Sequence, residues 1–208
     1  MRAGKHAGPS ESRSIEIAES SRYNYELCGP PPKLESTVVN ISARPIADSD
    51  PDGLVACFAG TPWDRGVSFF QNLVTEHRAG SRAVWVGTVD DDPVGFGSLL
   101  WTSSYPPFRE EGVAEISDLN VAPSFRRRGV ASCIIAAAEL RASERGVRVG
   151  IGVGLHSGYG SAQRLYVALG YIPDGRGVSH RGRFPDEGEL IPNDDDLVLH
   201  FYKGAGSA

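Results

Sequence analysis

The chain alternates short apolar stretches with polar turns, and the period within each stretch predicts its secondary structure. Runs rich in β-branched and aromatic residues predict six strands, over 37–44, 82–90, 94–101, 115–121, 148–155 and 197–202. Apolar residues at helical spacing predict four helices, over 48–58, 67–79, 129–145 and 161–169. The polar segments between them are predicted loops, including 103–112, 156–160 and 171–196. In this order the elements predict a mixed α/β fold, in which helices cover both faces of one sheet.

Length and composition are those of one globular domain. The chain has 208 residues, of which 40% are hydrophobic and 23% charged, so we expect a single packed domain over 36–208. Residues 1–35 are rich in glycine, serine and proline and contain Gly-Pro-Pro-Pro at 29–32, which predicts a flexible extension. The longest apolar run, 133–138, is six residues, whereas a membrane helix needs ~20. We therefore expect no membrane partner and a cytoplasmic location.

Charge and metal-binding residue types narrow the class of partner. Lys plus Arg total 21 and Asp plus Glu total 26, which gives a formal net charge of −5. This balance argues against a nucleic-acid partner, which would need a basic face, and it suits a cationic small molecule. The three cysteines and five histidines show neither paired spacing nor clustering, so we expect no metal and no disulfide.

The sharpest chemical signal directly follows the predicted strand 115–121. Residues 126–131 read Arg-Arg-Arg-Gly-Val-Ala and lead into the helix predicted to begin at Gly129. The free backbone N–H groups at a helix start bind anions, and small residues let a phosphate approach the backbone. Three arginines at this helix end oppose the helix dipole unless an anion binds there, so a bare surface helix start is the weaker interpretation. The segment therefore predicts a pyrophosphate-binding turn.

Two motifs carry a resemblance to a known family: Arg126-x-x-Gly129-x-Ala131 and the helix 162–171, Ala-Gln-Arg-Leu-Tyr-Val-Ala-Leu-Gly-Tyr. Because both occur in the order found in the GCN5-related N-acetyltransferases (the GNAT family), the chain resembles that family over about 38–202. Members transfer an acetyl group from acetyl-coenzyme A (acetyl-CoA) to an amine, so the resemblance implies a mostly antiparallel GNAT-type sheet and acetyl-CoA as cosubstrate. It also implies coenzyme contacts along the strand edge and the following turn, from Leu119, Asn120, Val121, Arg126, Arg127, Arg128, Gly129, Val130 and Ala131.

One position departs from the family pattern. Many members carry an asparagine seven residues before the helix tyrosine, where this chain has Tyr159 within Gly-Tyr-Gly-Ser. The coenzyme contact of that asparagine then falls to Ser161, to Tyr159 or to water, and the sequence leaves these alternatives open.

The resemblance also suggests catalytic roles. Tyr166 is the expected acid that protonates the departing thiolate, although a packed tyrosine on an amphipathic helix is the alternative. The backbone N–H of Val121 is the expected donor to the oxyanion. For the base there are two candidates, Glu115, at the position of the glutamate in histone-type members, and Asp118, in a segment like that of aminoglycoside 3-N-acetyltransferases. A β-bulge would let both reach the site, and a water is a third possibility.

The acceptor pocket is expected between the first two helices, the loop 103–112 and the last hairpin. Acidic and aromatic groups together suit a cationic amine. We expect a primary amine on a small cationic molecule, with an aminoglycoside antibiotic, and hence antibiotic resistance, as the sharpest version. A peptide or protein N-terminus or lysine, and a non-catalytic acyl-CoA-binding regulator, are the alternatives. Homodimers are frequent in the family, so a homodimer stays open. The candidate acceptor contacts are Trp63, Asp64, Tyr105, Phe108 and Glu110.

Overall fold

A computed structural model describes residues 39–203, so the extension predicted over 1–35 lies outside the described residues. The strands are β1 (Ile41–Pro45), β2 (Arg82–Val89), β3 (Asp92–Leu100), β4 (Ala114–Val121), β5 (Val149–Gly154), β6 (Tyr171–His180) and β7 (Leu197–Lys203). The helices are α1 (Asp50–Phe58), α2 (Val67–Ala79), α3 (Pro106–Glu111), α4 (Val130–Ser143) and α5 (Gly160–Ala168). Short 3₁₀ turns occupy Pro123–Phe125 and Ser157–Tyr159.

The strands form one seven-stranded sheet in the order β1-β2-β3-β4-β5-β7-β6. Every neighbouring pair is antiparallel except β4 and β5, which run parallel. Apolar residues of α4 and α5 pack into the core on one face, and those of α1 and α2 pack into the core on the other. The predicted mixed and mostly antiparallel sheet with helices on both faces is confirmed.

Two segments predicted as loops contain regular structure. The loop 103–112 contains α3, which begins at Pro106, and the polar stretch 171–196 begins with β6. Proline and glycine disguise β6 in the sequence, and the strand tolerates them because it lies at the sheet edge and pairs only with β7. None of the described helices is long and apolar enough to cross a membrane.

Two glycines of the sheet, Gly87 in β2 and Gly97 in β3, let α4 pack close to it. A Cβ added at Gly87 would lie 2.5 Å from Val130 Cγ1, and one added at Gly97 would lie 2.8 Å from Ile134 Cγ2. Both contacts are closer than real Cβ atoms tolerate, so the glycines permit the approach of the helix. As a result, the first two turns of α4 lie directly against β2 and β3.

β4 and β5 separate soon after they pair. Their register joins Ala114, Glu115 and Ile116 to 149–151 and then stops, although both strands continue. The edge of β4 over 117–121 is therefore not paired with β5 in the structure. This divergence opens the space in which the predicted site residues meet.

Candidate active site

A large cavity, with a volume of about 1630 Å³, occupies the opening between β4 and β5. Its walls are the end of β4, the turn that leads into α4, the inward face of α5, the α1–α2 loop and the β6–β7 loop. Most of the residues predicted from the sequence to bind the coenzyme or act in catalysis lie in these walls: Glu115, Asp118, Leu119, Asn120, Val121, Arg126, Arg127, Gly129, Val130, Ala131, Ser161 and Tyr166.

The start of α4 has the geometry of an anion site. Cys133 N–H donates to the carbonyl of Gly129, so the amides of 129–132 precede the first bond of the helix. Gly129, Val130, Ala131 and Ser132 all line the cavity. Gly129 has φ +99°, and a Cβ there would meet nothing within 4 Å, so the requirement for glycine is conformational rather than steric. These free amides fit a pyrophosphate group.

We expect Gly129→Val to weaken acetyl-CoA binding roughly tenfold, as measured by calorimetric titration. A β-branched residue disfavours the left-handed conformation by about 1–2 kcal/mol, and about 1.4 kcal/mol corresponds to a factor of ten in affinity. Gly80→Val is the matched control, because Gly80 ends α2 away from the cavity with φ +74° and equally open surroundings. The control should lose stability but keep its coenzyme affinity. Wild-type affinity in Gly129→Val would remove this turn from the coenzyme site.

The three arginines of the turn have different positions. Arg126 turns back, so that its Nε donates to the carbonyl of Val121 at 3.0 Å and its guanidinium lies 4.5 Å from the centroid of the Trp63 ring. Arg127 lines the cavity and has φ +60°. The Arg128 side chain lies over the ring of Phe125 and is not part of the cavity wall, and the coenzyme contact expected from the backbone N–H of Arg128 stays a prediction.

The backbone N–H of Val121 points into the opening between the strands. Ala122 N–H donates to the carbonyl of Val94 at 2.9 Å, and Gly95 lies opposite Val121. In an antiparallel pair the bonded positions alternate, so the amide of Val121 is directed away from β3. Its carbonyl points the same way, toward the side chain of Arg126. This orientation is the one that an oxyanion donor requires.

A β-bulge brings both candidate bases to the cavity. Ser98 pairs with Ser117 and Phe96 with Asn120, so Asp118 and one further residue of β4 lie opposite a single residue of β3. Asp118 has φ +53°, a conformation that few residues other than glycine adopt. Strict alternation would have put the two carboxylates on opposite faces, and the bulge explains why Glu115 and Asp118 both line the cavity.

The two carboxylates have different electrostatic surroundings. Burial raises the pKa of Glu115, the nearby Asp118 raises it further, and a hydrogen bond from Ser103 opposes both. No arginine or lysine of the described chain forms an ion pair with Glu115, whereas Asp118 pairs with Arg82 at 3.0 Å. Glu115 is therefore the better placed of the two to accept and release a proton.

Tyr166 is buried on α5 and lines the cavity. Burial raises the pKa of its hydroxyl above the ordinary value, and the neighbouring Tyr159 adds to the effect. The phenol therefore stays protonated at neutral pH, as an acid must. Its catalytic role stays a prediction.

A cluster around Tyr159 was missed by the sequence analysis. Tyr159 donates to Asp195 Oδ1 at 3.1 Å, and His156 Nε2 lies 2.8 Å from the same oxygen. Gly158 N–H donates to His156 Nδ1, so the imidazole proton belongs on Nε2, where it bonds to the carboxylate. The Tyr159 ring covers Gly154, where a Cβ would approach it to 2.4 Å. No local pattern could have found this cluster, because Asp195 is 39 residues from His156.

Of the five candidate acceptor contacts, Trp63 and Tyr105 line the cavity and Asp64, Phe108 and Glu110 do not. Asp64 accepts a hydrogen bond from Gly60 N–H within its own turn. Phe108 is fully buried, with its ring where a side chain at position 150 would lie. Glu110 is exposed on α3, outside the cavity. These three expectations are corrected: α3 turns Phe108 into the core and Glu110 outward, and Asp64 is bonded within the α1–α2 loop.

Tyr105 is held on both sides. Its hydroxyl donates to Asp174 Oδ2 at 2.7 Å, and its ring stacks on His200 with centroids 3.5 Å apart. Burial lowers the pKa of His200 to about 4, so this imidazole is neutral at physiological pH. His200 also lines the cavity, although the sequence offered no reason to choose it.

The loop between β6 and β7 brings further charged groups together. His180, Asp194 and Asp196 each place one potential ligand atom within 4.8 Å of the others, a proximity that the spacing in the sequence did not suggest. Asp196 pairs with Arg181 at 2.9 Å, and Asp194 lies 3.3 Å from His180 Nε2. These pairs tie the two ends of the loop together.

Comparison with known proteins identifies one family and many solved structures with the same fold. The family model described as "Acetyltransferase (GNAT) family" matches residues 51–171, more than half of the chain. No curated protein matches the chain in sequence.

Several solved structures share the fold. NAA60 from Arabidopsis thaliana, solved in complex with acetyl-CoA, is 22% identical, with a TM-score of 0.57 over 78% of this chain and 97% of that one. A chimera of the spermidine N-acetyltransferase SpeG from Vibrio cholerae is 15% identical, with a TM-score of 0.55 over 78% and 93%. RimL, a ribosomal L7/L12 alpha-N-protein acetyltransferase, is 15% identical, with a TM-score of 0.56 over 78% and 91%. At these identities the likeness establishes a common fold.

Proposed function

The chain belongs to the GNAT family of acetyltransferases with acetyl-CoA as cosubstrate, and on that premise we propose that it acetylates a primary amine of a small cationic molecule. The observation that carries the proposal is the partly buried Glu115 carboxylate, without an ion-pair partner in the described chain, in the wall of a cavity that also contains Trp63 and Tyr105. A buried carboxylate attracts an ammonium group, and aromatic rings beside it favour a cation.

Acetyl-CoA supplies the activated acyl group, and the chain supplies binding and proton transfer. We assign its pyrophosphate to the free amides at the start of α4, with Arg127 beside them. The unpaired edge of β4 over 119–121 can receive the pantetheine arm as an added strand. Ser161, in the first turn of α5, and Tyr159 are the side chains near the position of the missing asparagine.

Three groups divide the chemistry. Glu115 receives the proton of the substrate ammonium, which makes the amine nucleophilic. The Val121 amide donates a hydrogen bond to the acyl oxygen as that oxygen gains negative charge. Tyr166, protonated at neutral pH, gives its proton to the departing thiolate and is reprotonated by the second proton that the acetylated nitrogen loses.

The local charge at Glu115, rather than the charge of the whole cavity, supports a cationic acceptor, because five arginines and four carboxylates line the cavity. Two of the carboxylates already pair with arginine, Asp118 with Arg82 and Asp196 with Arg181. Glu115 and Asp195 have no arginine or lysine partner among residues 39–203. Asp195 is already bonded to His156 and Tyr159, so the carboxylate left for an ammonium group of a polyamine or an aminoglycoside is Glu115. The similarity to a spermidine acetyltransferase supports the same class.

A peptide or protein N-terminus is the second candidate. The fold is shared with RimL, an alpha-N-protein acetyltransferase, and the cavity, with a volume of about 1630 Å³, is a long opening between two strands rather than a closed pocket. This acceptor would place its ammonium at the same carboxylate, so the two candidates differ in what lies beyond the amine.

The test is acetyl-CoA-dependent release of free thiol across a panel of amines. We expect the highest kcat/KM with spermidine or an aminoglycoside such as kanamycin, and background thiol release with the same compounds after full N-acetylation. Short peptides with a free N-terminus and single amino acids complete the panel. A rate confined to peptides would replace the first candidate by the second. Coenzyme binding without any acceptor rate would instead favour a non-catalytic acyl-CoA-binding regulator.

A further inference from the structure

Resting on the proposed function, we infer that Ser103 is a positioning residue: its hydroxyl holds the Glu115 carboxylate in the orientation that receives the proton of the acceptor ammonium. Ser103 follows β3 in the turn before α3, and no motif in the sequence singles it out. The residue does not line the cavity itself. Its influence on the reaction is therefore exerted through Glu115.

The direction of each hydrogen bond at Ser103 is fixed. Tyr105 N–H lies 2.9 Å from Ser103 Oγ, and because an amide can only donate, the hydroxyl oxygen must accept there. The single proton of the hydroxyl is then free for Glu115 Oε2, which is 2.5 Å away. A short bond from hydroxyl to carboxylate is among the stronger side-chain hydrogen bonds.

The support beneath Ser103 is rigid. The residue is 1% exposed, and the Tyr105 that donates to it is fixed by Asp174 at one end and by the stacked His200 ring along its face. The Ser103 hydroxyl therefore connects the Glu115 carboxylate to Tyr105 in the wall of the same cavity. An unsupported Glu115 would lose this orientation, because a glutamate side chain can rotate about three bonds.

The titratable groups near Glu115 predict how its pKa responds. Asp118, on the same strand, pairs with Arg82 of β2, while Tyr105, from the turn after β3, and His200, from β7, line the same cavity. Tyr105 has a raised pKa and His200 a lowered one, so both stay neutral through the assay range. The Ser103 hydroxyl lowers the pKa of Glu115 against burial and Asp118, which raise it. Loss of the Ser103 hydroxyl should therefore raise the pKa of Glu115 further.

The experiment compares Ser103→Ala with the wild type by kcat/KM against pH, with acetyl-CoA and spermidine or kanamycin, whichever gives the higher rate. A hydrogen bond to a charged group contributes about 1.5–3 kcal/mol, so the acid limb should move up by about one pH unit. On the acid side of the Glu115 pKa, kcat/KM of Ser103→Ala should then be roughly tenfold lower than that of the wild type. Ser103→Thr, which keeps the hydroxyl, should restore the wild-type limb.

Ser98→Ala is the matched control. Ser98 is another buried serine, on β3, and its hydroxyl makes no hydrogen bond within the described chain. This variant should leave the pH profile unmoved. An equal shift in Ser98→Ala and Ser103→Ala would mean a general packing effect and would overturn the assignment.

An infrared titration gives a readout independent of the acceptor. In protein with ¹³C-labelled glutamate, the carboxyl band that disappears in Glu115→Gln belongs to Glu115, and in Ser103→Ala its midpoint should move up by about one pH unit. If alanine impairs folding, Ser103→Cys, a weak donor of similar shape, should shift the midpoint in the same direction. An unmoved midpoint overturns the role of Ser103. A shifted midpoint with no acetylation of any amine would leave that role standing and reject the proposed function instead.

Discussion

Replacing Glu115 with glutamine is expected to lower kcat roughly a hundredfold or more at neutral pH, since a positioned general base contributes about 10²–10⁴. Glutamine keeps the size of the side chain and can still accept a hydrogen bond from Ser103, but it cannot take a proton. The wild type should lose activity as the pH falls through the raised pKa of Glu115, because the protonated acid is inactive as a base. In the variant this acid limb should disappear.

Asp118→Asn is the matched control for that experiment. Asp118 lies three residues along the same strand and lines the same cavity, but it already pairs with Arg82. We expect less than about a tenfold loss of kcat/KM, with the acid limb retained. If Asp118→Asn instead abolishes the limb while Glu115→Gln keeps it, the two roles must be exchanged. Steady-state rates between about pH 5 and 9 are sufficient to decide.

The parts of the site that could be predicted from the sequence are local. The turn at 126–131 is contiguous, and its chemistry depends on a helix start and a glycine with positive φ rather than on distant contacts. Tyr166 was predicted through a motif on one helix, and it lies in the cavity wall together with that turn. Helix periodicity and the end of a strand are sufficient to specify such features.

The parts that could not be predicted are contacts between distant segments. Asp195 bonds to His156 across 39 residues, and Tyr105 bonds to Asp174 across 69. Each pair depends on β6, an edge strand that its proline and glycines hide in the sequence, and on the loop that β6 leads into. The bulge at Asp118 was anticipated only as a way to bring two faces together, since bulges leave no reliable signal in strand alternation.

The two errors at Phe108 and Glu110 have one physical origin. Residues 103–112 are rich in proline and charge, which is typical of a loop, and a loop over a pocket would expose its aromatic and acidic side chains to substrate. The two prolines instead begin a helix, where their fixed φ is favourable. Once α3 forms, helical geometry directs Phe108 into the core and leaves Glu110 in solvent. Tyr105, the residue before the helix, is the one that keeps its place in the cavity wall.

Replacing Tyr166 with phenylalanine is expected to lower kcat about a hundredfold while the dissociation constant of acetyl-CoA stays within about twofold. The ring is retained, so the packing of α5 against the sheet is preserved, and what is lost is the proton that the hydroxyl supplies to the leaving thiolate. Because the pKa of Tyr166 is raised, its ionisation should produce no basic limb near neutrality in the wild type.

Tyr171→Phe distinguishes this catalytic role from a structural one. Tyr171 is also buried, 6.2 Å away between ring centroids, but its hydroxyl donates to Glu139 at 2.9 Å and the residue is not part of the cavity wall. Its replacement should cost about 1.5–3 kcal/mol of stability, from one hydrogen bond to a charged group, and leave kcat unchanged. Pre-steady-state acetyl transfer and calorimetric coenzyme binding on both variants separate the roles. Unchanged turnover in Tyr166→Phe would make this tyrosine a packing residue, and a different group, or water, would have to protonate the thiolate.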